Sequence, residues 1–261
     1  MKIPMYQVDA FTDKVFCGNP AAVCVLESWL ADETLQSIAA ENFLPETAYL
    51  LKNGENYDLR WFTPKIEVDL CGHATLASAF VIFSLLEPAR SSVEFKTASG
   101  VLAVTKSGDL LSMKFPSRKP VPTEPSSILN EALGEAPREL LRSRDLFAVF
   151  DTEKQIRELK PDLEKMKSIT DVLGFIVTAK GDSVDFVSRF FAPNAGIPED
   201  TVTGSAHCSL IPYWAERLGK SDLHAFQLSE RGGELFCRDM GDSVKIAGRA
   251  VLYKTGDIIL H

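Results

Sequence analysis

No two of the five cysteines (17, 24, 71, 208 and 237) stand at C-x-x-C spacing, and their odd, scattered set forms no disulfide framework. That pattern suits reduced thiols and predicts a cytoplasmic protein. No Walker loop occurs, and no G-x-G-x-x-G follows a strand near the N-terminus, so a nucleotide cofactor has no visible seat. Lys/Arg blocks are absent and the formal net charge is −8, which argues against nucleic acid or an anionic membrane as partner. The most apolar run, Ala74 to Leu86, is 13 residues, too short to span a bilayer. Met1–Phe11 carries neither a charged n-region nor a cleavage site, so no secretory signal is expected. What remains is a 261-residue chain with 45% hydrophobic and 25% charged residues, enough for real cores.

The chain repeats itself. Arg60-Trp61-Phe62-Thr63-Pro64, an acidic stretch and Cys71-Gly72-His73-Ala74-Thr75 match Arg189-Phe190-Phe191-Ala192-Pro193, an acidic stretch and Thr203-Gly204-Ser205-Ala206-His207. Phe95–Gly100 then matches Phe226–Gly233, with Gly108-Asp109 and Gly241-Asp242 following. Two such copies imply pseudo-equivalent halves, each offering a helix N-terminus, with a cleft between them for a small anion.

Periodicity places strands at Met5–Phe11 and Ala21–Leu26, joined by a turn at Cys17–Pro20, and a helix from an Asp32 N-cap to about Glu41. Pro45 starts an extended segment that puts Glu46, Ala48 and Leu50 on one face. After a strand at Asp58–Phe62, the helix to Leu86 is apolar nearly all round, as one enclosed by sheet would be. A three-strand meander over Val93–Phe115 leads to the linker Lys119–Pro125. The second half repeats the plan, with a polar helix at Lys154–Lys167, a helix at Ser205–Leu218 closed by Gly219, and a closing pair of strands around Lys254–Asp257. Pro212 lies inside that helix and should kink it, because it cannot donate to the Cys208 carbonyl. The expected class is α+β: two pseudo-symmetric halves, each an antiparallel or mixed sheet wrapped around a central apolar helix. The expected boundaries are residues 1–118, joined by the C-terminal strand 250–261, and residues 119–249.

Chemistry would concentrate at the helix starts. Unpaired N–H groups and the helix dipole favour an anion there, and Gly72 and Gly204 let a ligand approach the backbone; alternatively the glycines only turn the chain. Glu46, on an otherwise apolar face, is the candidate acid/base, with a solvated strand-end glutamate as the alternative. His73 can bind substrate, assist proton transfer or cap its helix. Asp200, in the polar turn Pro198–Thr201, can bind an amine or hydroxyl or only cap the turn, and Ser205 can donate to the anion as well as cap. Zinc held by Cys71, His73, His207 and Cys208 is disfavoured, since adjacent helical residues point about 100° apart. No metal is expected.

These stretches, with Asp9-Ala-Phe-Thr12, Gly18-Asn-Pro-Ala-Ala-Val23, Glu46-Thr-Ala48, Glu199-Asp200 and Arg231-Gly-Gly-Glu234, resemble the phenazine-biosynthesis PhzF family across nearly the whole chain. The likeness is greatest to members outside the phenazine pathway. It implies the diaminopimelate epimerase fold, a homodimer and no cofactor. In the family's phenazine enzyme the glutamate matched by Glu46 shuttles a proton on a dihydro-hydroxyanthranilate, and its partners match His73, Asp200 and Ser205. Epimerases of that fold place a cysteine before each helix-starting glycine. Cys71 holds the first such position, but Thr203 holds the second and cannot serve as a thiolate base. Pro45 replaces the usual serine before the glutamate.

The expected function is therefore a cofactor-independent isomerase acting on a small carboxylate-bearing substrate. Glu46, His73 and Asp200 would be catalytic, and Gly72, His73, Gly204, Ser205 and Asp200 would bind substrate. An amino-acid epimerase or racemase, and a binding protein without turnover, are the alternatives.

Overall fold

The structure, a computed structural model, describes residues 1–260. The chain divides into two units, one formed by Met1–Lys114 with the segment from Ala247 onward, the other by Phe115–Ile246.

The two units repeat one order of strand pairing. In the first, Asn19–Leu26 runs parallel to Glu46–Asn53, which pairs antiparallel with Asn56–Phe62. Asn56–Phe62 then runs parallel to Ser92–Thr97, itself antiparallel to Gly100–Ser107. In the second unit the same parallel, antiparallel, parallel, antiparallel series joins Leu146–Val149, Phe175–Lys180, Phe186–Ala192, Asp222–Gln227 and Gly233–Asp239. A parallel pair needs a long crossover. In each unit the central helix lies within the crossover of the second parallel pair: Gly72–Val81 in one, Gly204–Leu218 in the other. The sequence repeat is thus a repeat of topology, and the sheets are mixed.

Enclosure follows composition. Every residue from His73 to Val81 except Phe80 is buried, against the strands Lys2–Ala10, Asn19–Leu26, Glu46–Asn53 and Ala250–Ile259. In the second unit Ala206 to Ala215 is buried throughout, with Trp214 stacked on Phe186 and its Nε1 donating to Thr178 Oγ1 at 2.9 Å. Each fully buried Leu or Val there contributes about 1.5–3 kcal/mol. Among the described residues, no helix is long and apolar enough to cross a membrane.

Several elements differ from expectation. Asp32 is the first helical residue of Asp32–Asn42 rather than its N-cap. The helix expected through Leu86 widens at Ile82 into a π-helical turn, Ile82–Leu86, just before Pro88. The expected helix Lys154–Lys167 is two helices, Glu153–Glu158 and Leu163–Lys167: the chain is already extended at Leu159 (ψ 129°), and Pro161 disfavours a helical Lys160 after it. Lys254–Asp257 is no turn; it lies within one continuous strand, Ala250–Ile259, paired with Lys2–Ala10, and His261 lies outside the described residues. The linker is pinned where Val121 and Pro122 pair with Arg142 and Leu141. Glu139–Arg142, Ser127–Leu133 and Ile197–Asp200 were not expected as regular elements.

Pro212 does not break its helix, which is one element from Gly204 to Leu218. The Cys208 carbonyl that Pro212 leaves without a helical donor accepts from the Arg118 backbone N–H at 2.9 Å. The orphaned group is therefore satisfied by the neighbouring segment, as a buried carbonyl requires.

The loop that delivers Asn19–Leu26 beside Glu46 is held by backbone geometry. Phe11 (φ 62°) and Phe16 (φ 70°) adopt left-handed conformations, and the buried Asp9 carboxylate accepts from Phe16 N–H at 3.0 Å. Gly18 has φ +66°, and a Cβ on it would lie 2.2 Å from the Ala10 carbonyl oxygen. Gly18→Ala is expected to cost at least about 2 kcal/mol, read as a lowered urea midpoint. Gly256→Ala, where nothing lies within 4 Å, should change the midpoint little.

Candidate active site

Glu46 opens the strand Glu46–Asn53, next to Ala21 in parallel register, and its face continues through buried Ala48 and Leu50 toward the enclosed helix. His73 is the second residue of that helix, and Cys71 is its N-cap. Strand start and helix start bring the three side chains together, with their ligand atoms all within 4.8 Å of one another.

His73 Nε2 lies 3.0 Å from Glu46 Oε2, off the line of a well-aligned N–H···O bond, so the contact is chiefly electrostatic. Its Nδ1 faces Cys71 Sγ at 3.5 Å. Glu46 and Cys71 thus approach different nitrogens of one imidazole, and the three ligand atoms are close enough together to offer a metal ion three ligands. Of the zinc set weighed from the sequence, His207 Nδ1 contacts the Thr203 carbonyl at 2.8 Å, and Cys208 Sγ lies 3.9 Å from the Gly204 carbonyl.

Electrostatics follow from burial. Desolvation opposes charging of the His73 ring, yet Cys71 and Glu46 outweigh it and hold the imidazole pKa well above the ordinary histidine value. Burial, reinforced by Glu46, raises the Cys71 thiol in turn. Cys71 and Glu46 together favour the imidazolium. The sign of the pH effect follows. Below about pH 6.5 histidine is charged in both folded and unfolded chains, and the pair's full contribution to stability is present. That contribution is lost as pH rises through the raised folded-state value. An NMR titration of His73 should find imidazolium at pH 7 in the wild type, and a lower transition in Glu46→Gln. A neutral ring at pH 7 in the wild type would contradict this assignment.

In the second unit, helix Gly204–Leu218 starts after Thr203, whose side chain does not cap it. Instead Thr203 Oγ1 donates to Asp200 Oδ2 at 2.7 Å. Gln227, fully buried, completes the arrangement: its Oε1 accepts from Thr203 N–H at 2.8 Å, and its Nε2 donates to the Asp200 carbonyl at 2.7 Å and to Thr203 Oγ1 at 3.0 Å. Neither helix has an N-cap side-chain bond to its first turn, which leaves first-turn amides for a ligand. Ser205 Oγ accepts from Arg144 Nη2 at 2.9 Å. His207 is a core residue: burial lowers its pKa to about 4, its ring contacts Phe186, and its neutral Nδ1–H donates to the Thr203 carbonyl.

Sequence reasoning missed Gln227, Arg144 and the meaning of the acidic stretches. In each copy the repeated arginine holds a glutamate of the following stretch with both oxygens: Arg60 with Glu67 at 2.6 and 2.7 Å, Arg189 with Glu199 at 2.7 and 2.9 Å. The same guanidinium lies over the repeated phenylalanine, Phe62 at 5.1 Å and Phe191 at 4.9 Å. These clamps fix the hairpins that lead into the two helix starts. The recurring Arg-x-Phe followed by glutamate was the available signal.

The family model for phenazine biosynthesis-like proteins (PhzC-PhzF) matches residues 8–256. A Pseudomonas aeruginosa protein named as an uncharacterised isomerase is 50% identical over 260 residues, covering all of both chains. Among solved structures, an Enterococcus faecalis protein of the PhzF family superposes with a TM-score of 0.98 at 48% identity, with full coverage of both chains. A hydroxyproline epimerase from Agrobacterium vitis shares the fold at 11% identity and a TM-score of 0.61, over 98% of this chain and 92% of its own. Three bacterial proteins named as isomerases match the full chain at 44–50% identity, and with them this chain belongs to the phenazine biosynthesis-like PhzF family, among its isomerases.

Proposed function

We propose that the protein moves a proton within a small carboxylate-bearing substrate without a cofactor. The observation that carries this is the partly buried Glu46 carboxylate, 3.0 Å from the buried His73 ring. Glu46 takes the proton from an acidified C–H. The electron pair left behind delocalises into the adjoining unsaturation, and Glu46, whose proton exchanges with solvent in the interval, delivers a proton at the far end of that system, so atoms and charge balance in a 1,3 shift. The His73 imidazolium stabilises negative charge developing on the substrate. The resemblance further assigns Asp200 to the polar substituents of a substrate, and Ser205 with the amide that follows Gly204 to its carboxylate. It also suggests a homodimer, and the scattered cysteines a cytoplasmic one.

The epimerase alternative requires a second base opposite Glu46. Cys71 is the available group, but burial raises its thiol pKa and Thr203 uses its hydroxyl on Asp200. Solvent-deuterium incorporation by wild type, Glu46→Gln and Cys71→Ser separates the readings. Loss in Glu46→Gln with retention in Cys71→Ser is expected; loss in Cys71→Ser alone would favour epimerisation, and undiminished label in Glu46→Gln would overturn the assignment.

A further inference from the structure

Between strands Glu139–Arg142 and Leu146–Val149 the chain turns through Ser143-Arg144-Asp145, none of which the sequence singled out. This turn is tied to helix Gly204–Leu218 at two points one helical turn apart. Arg144 Nη2 meets Ser205 Oγ at 2.9 Å, and the hydroxyls of Ser143 and Ser209 meet at 2.8 Å. Asp145 is 1% exposed, and its Oδ2 takes Arg144 Nε at 3.3 Å and Nη2 at 3.1 Å, which pins the guanidinium in place. Ser143 N–H to the Asp145 carbonyl closes the turn at 3.1 Å.

The direction of the Arg144–Ser205 bond has a chemical consequence. A guanidinium carries only donors and keeps its proton in proteins, so Ser205 Oγ must be the acceptor. The Ser205 hydroxyl proton is therefore not spent on Arg144 and is available to a ligand. Thr203 likewise spends its hydroxyl proton on Asp200, away from the helix start. Arg144 Nη1 makes no hydrogen bond within the unit, and the side chain is one-third exposed. Ser205 O–H, the first-turn amides and Arg144 Nη1 then present donors alone.

We infer that Arg144 is a positioning residue that holds Ser205 as a hydrogen-bond donor, so that this helix start accepts an ionised carboxylate and discriminates against an ammonium or an unsubstituted ring carbon. The inference rests on the function proposed above for the carboxylate, and it adds the residue that enforces the choice.

The test uses two probes: 2-amino-3-hydroxybenzoate, the aromatic counterpart of the family's dihydro substrate, and 2-aminophenol, which lacks the carboxylate. Calorimetry would give both affinities for wild type, Arg144→Met, Arg144→Lys, Ser205→Ala and the Arg144→Met/Ser205→Ala double variant, with thermal melts to establish folding. The wild type should prefer the carboxylate, and Arg144→Met should lose about tenfold or more of that preference. Lysine, also a pure donor, should restore part of it. In the Ser205→Ala background Arg144→Met should have little further effect, because the arginine acts through the serine. A residue that only braced the turn would weaken both probes alike and lower the melting temperature. The inference is overturned by an unchanged preference in Arg144→Met, by an equal loss with or without Ser205, or by a wild type that binds neither probe. Binding with the expected preference but without proton exchange on any acid would leave Arg144's role standing and defeat the isomerase reading instead.

Discussion

Glu46→Gln is expected to lose about 10³-fold or more of the turnover number while leaving ligand affinity within a fewfold of wild type. Glutamine preserves the shape and one acceptor oxygen but cannot take a proton, and a positioned acid/base contributes about 10²–10⁴-fold. Substrate is held mainly by other groups in the proposed arrangement, so ligand-induced thermal stabilisation should persist. The variant should also lower the His73 pKa, since one of the two groups favouring the imidazolium is gone. Kinetics and melts on the same preparation read both effects. Turnover within tenfold of wild type would remove Glu46 from the chemistry.

Arg189→Met should be the most destabilising of the surface-derived changes, at about 3 kcal/mol. The side chain is only 12% exposed, and it donates to both Glu199 oxygens as well as to the carbonyls of Ile156 and Leu159, at 3.1 and 2.7 Å, where the short helix Glu153–Glu158 ends. Removing one partner of a largely buried pair costs about 3–5 kcal/mol; partial exposure of Glu199 argues for the lower end. Its counterpart Arg60 also bonds Glu67, but its second partner is Asp32, 72% exposed, and solvent screens that pair. Arg60→Met should therefore cost less, about 1 kcal/mol. Urea denaturation of the two variants measures the contrast, and equal losses would show that the clamps are not distinguished by burial.

The internal repeat was readable because each copy preserves the residues that its turn and helix start demand: arginine and an aromatic on the strand, proline at its end, glycine where the helix begins. Glu46 and His73 were readable for a related reason. A lone carboxylate on an alternating apolar face and a histidine beside a helix-opening glycine stand out locally, and the structure sets them 3.0 Å apart. Long-range pairings left no such trace. Nothing in the sequence near Pro212 indicates that Arg118, more than 90 residues earlier, supplies the missing donor to Cys208. Gln227 looked like an ordinary strand residue, although it joins Asp200 to Thr203. Arg144 sat in a polar turn whose partner, Ser205, is about 60 residues away. The misreading at Lys254–Asp257 had a different origin. Gly-Asp after two polar residues is strong turn chemistry, but pairing along Lys2–Gln7 keeps that segment extended. At Lys154–Lys167 charge periodicity outweighed a local signal, Pro161, that deserved priority.

The most direct measurement of the central claim is solvent-deuterium uptake. Wild-type protein would be incubated in heavy water with aromatic and aliphatic amino and hydroxy acids, and recovered compounds weighed by mass spectrometry. Proton shuttling by Glu46 predicts a one-unit mass gain at a substrate carbon for at least one acid that also raises the melting temperature, with the gain absent in Glu46→Gln. Acids that bind and stabilise the protein yet are recovered without label would contradict it.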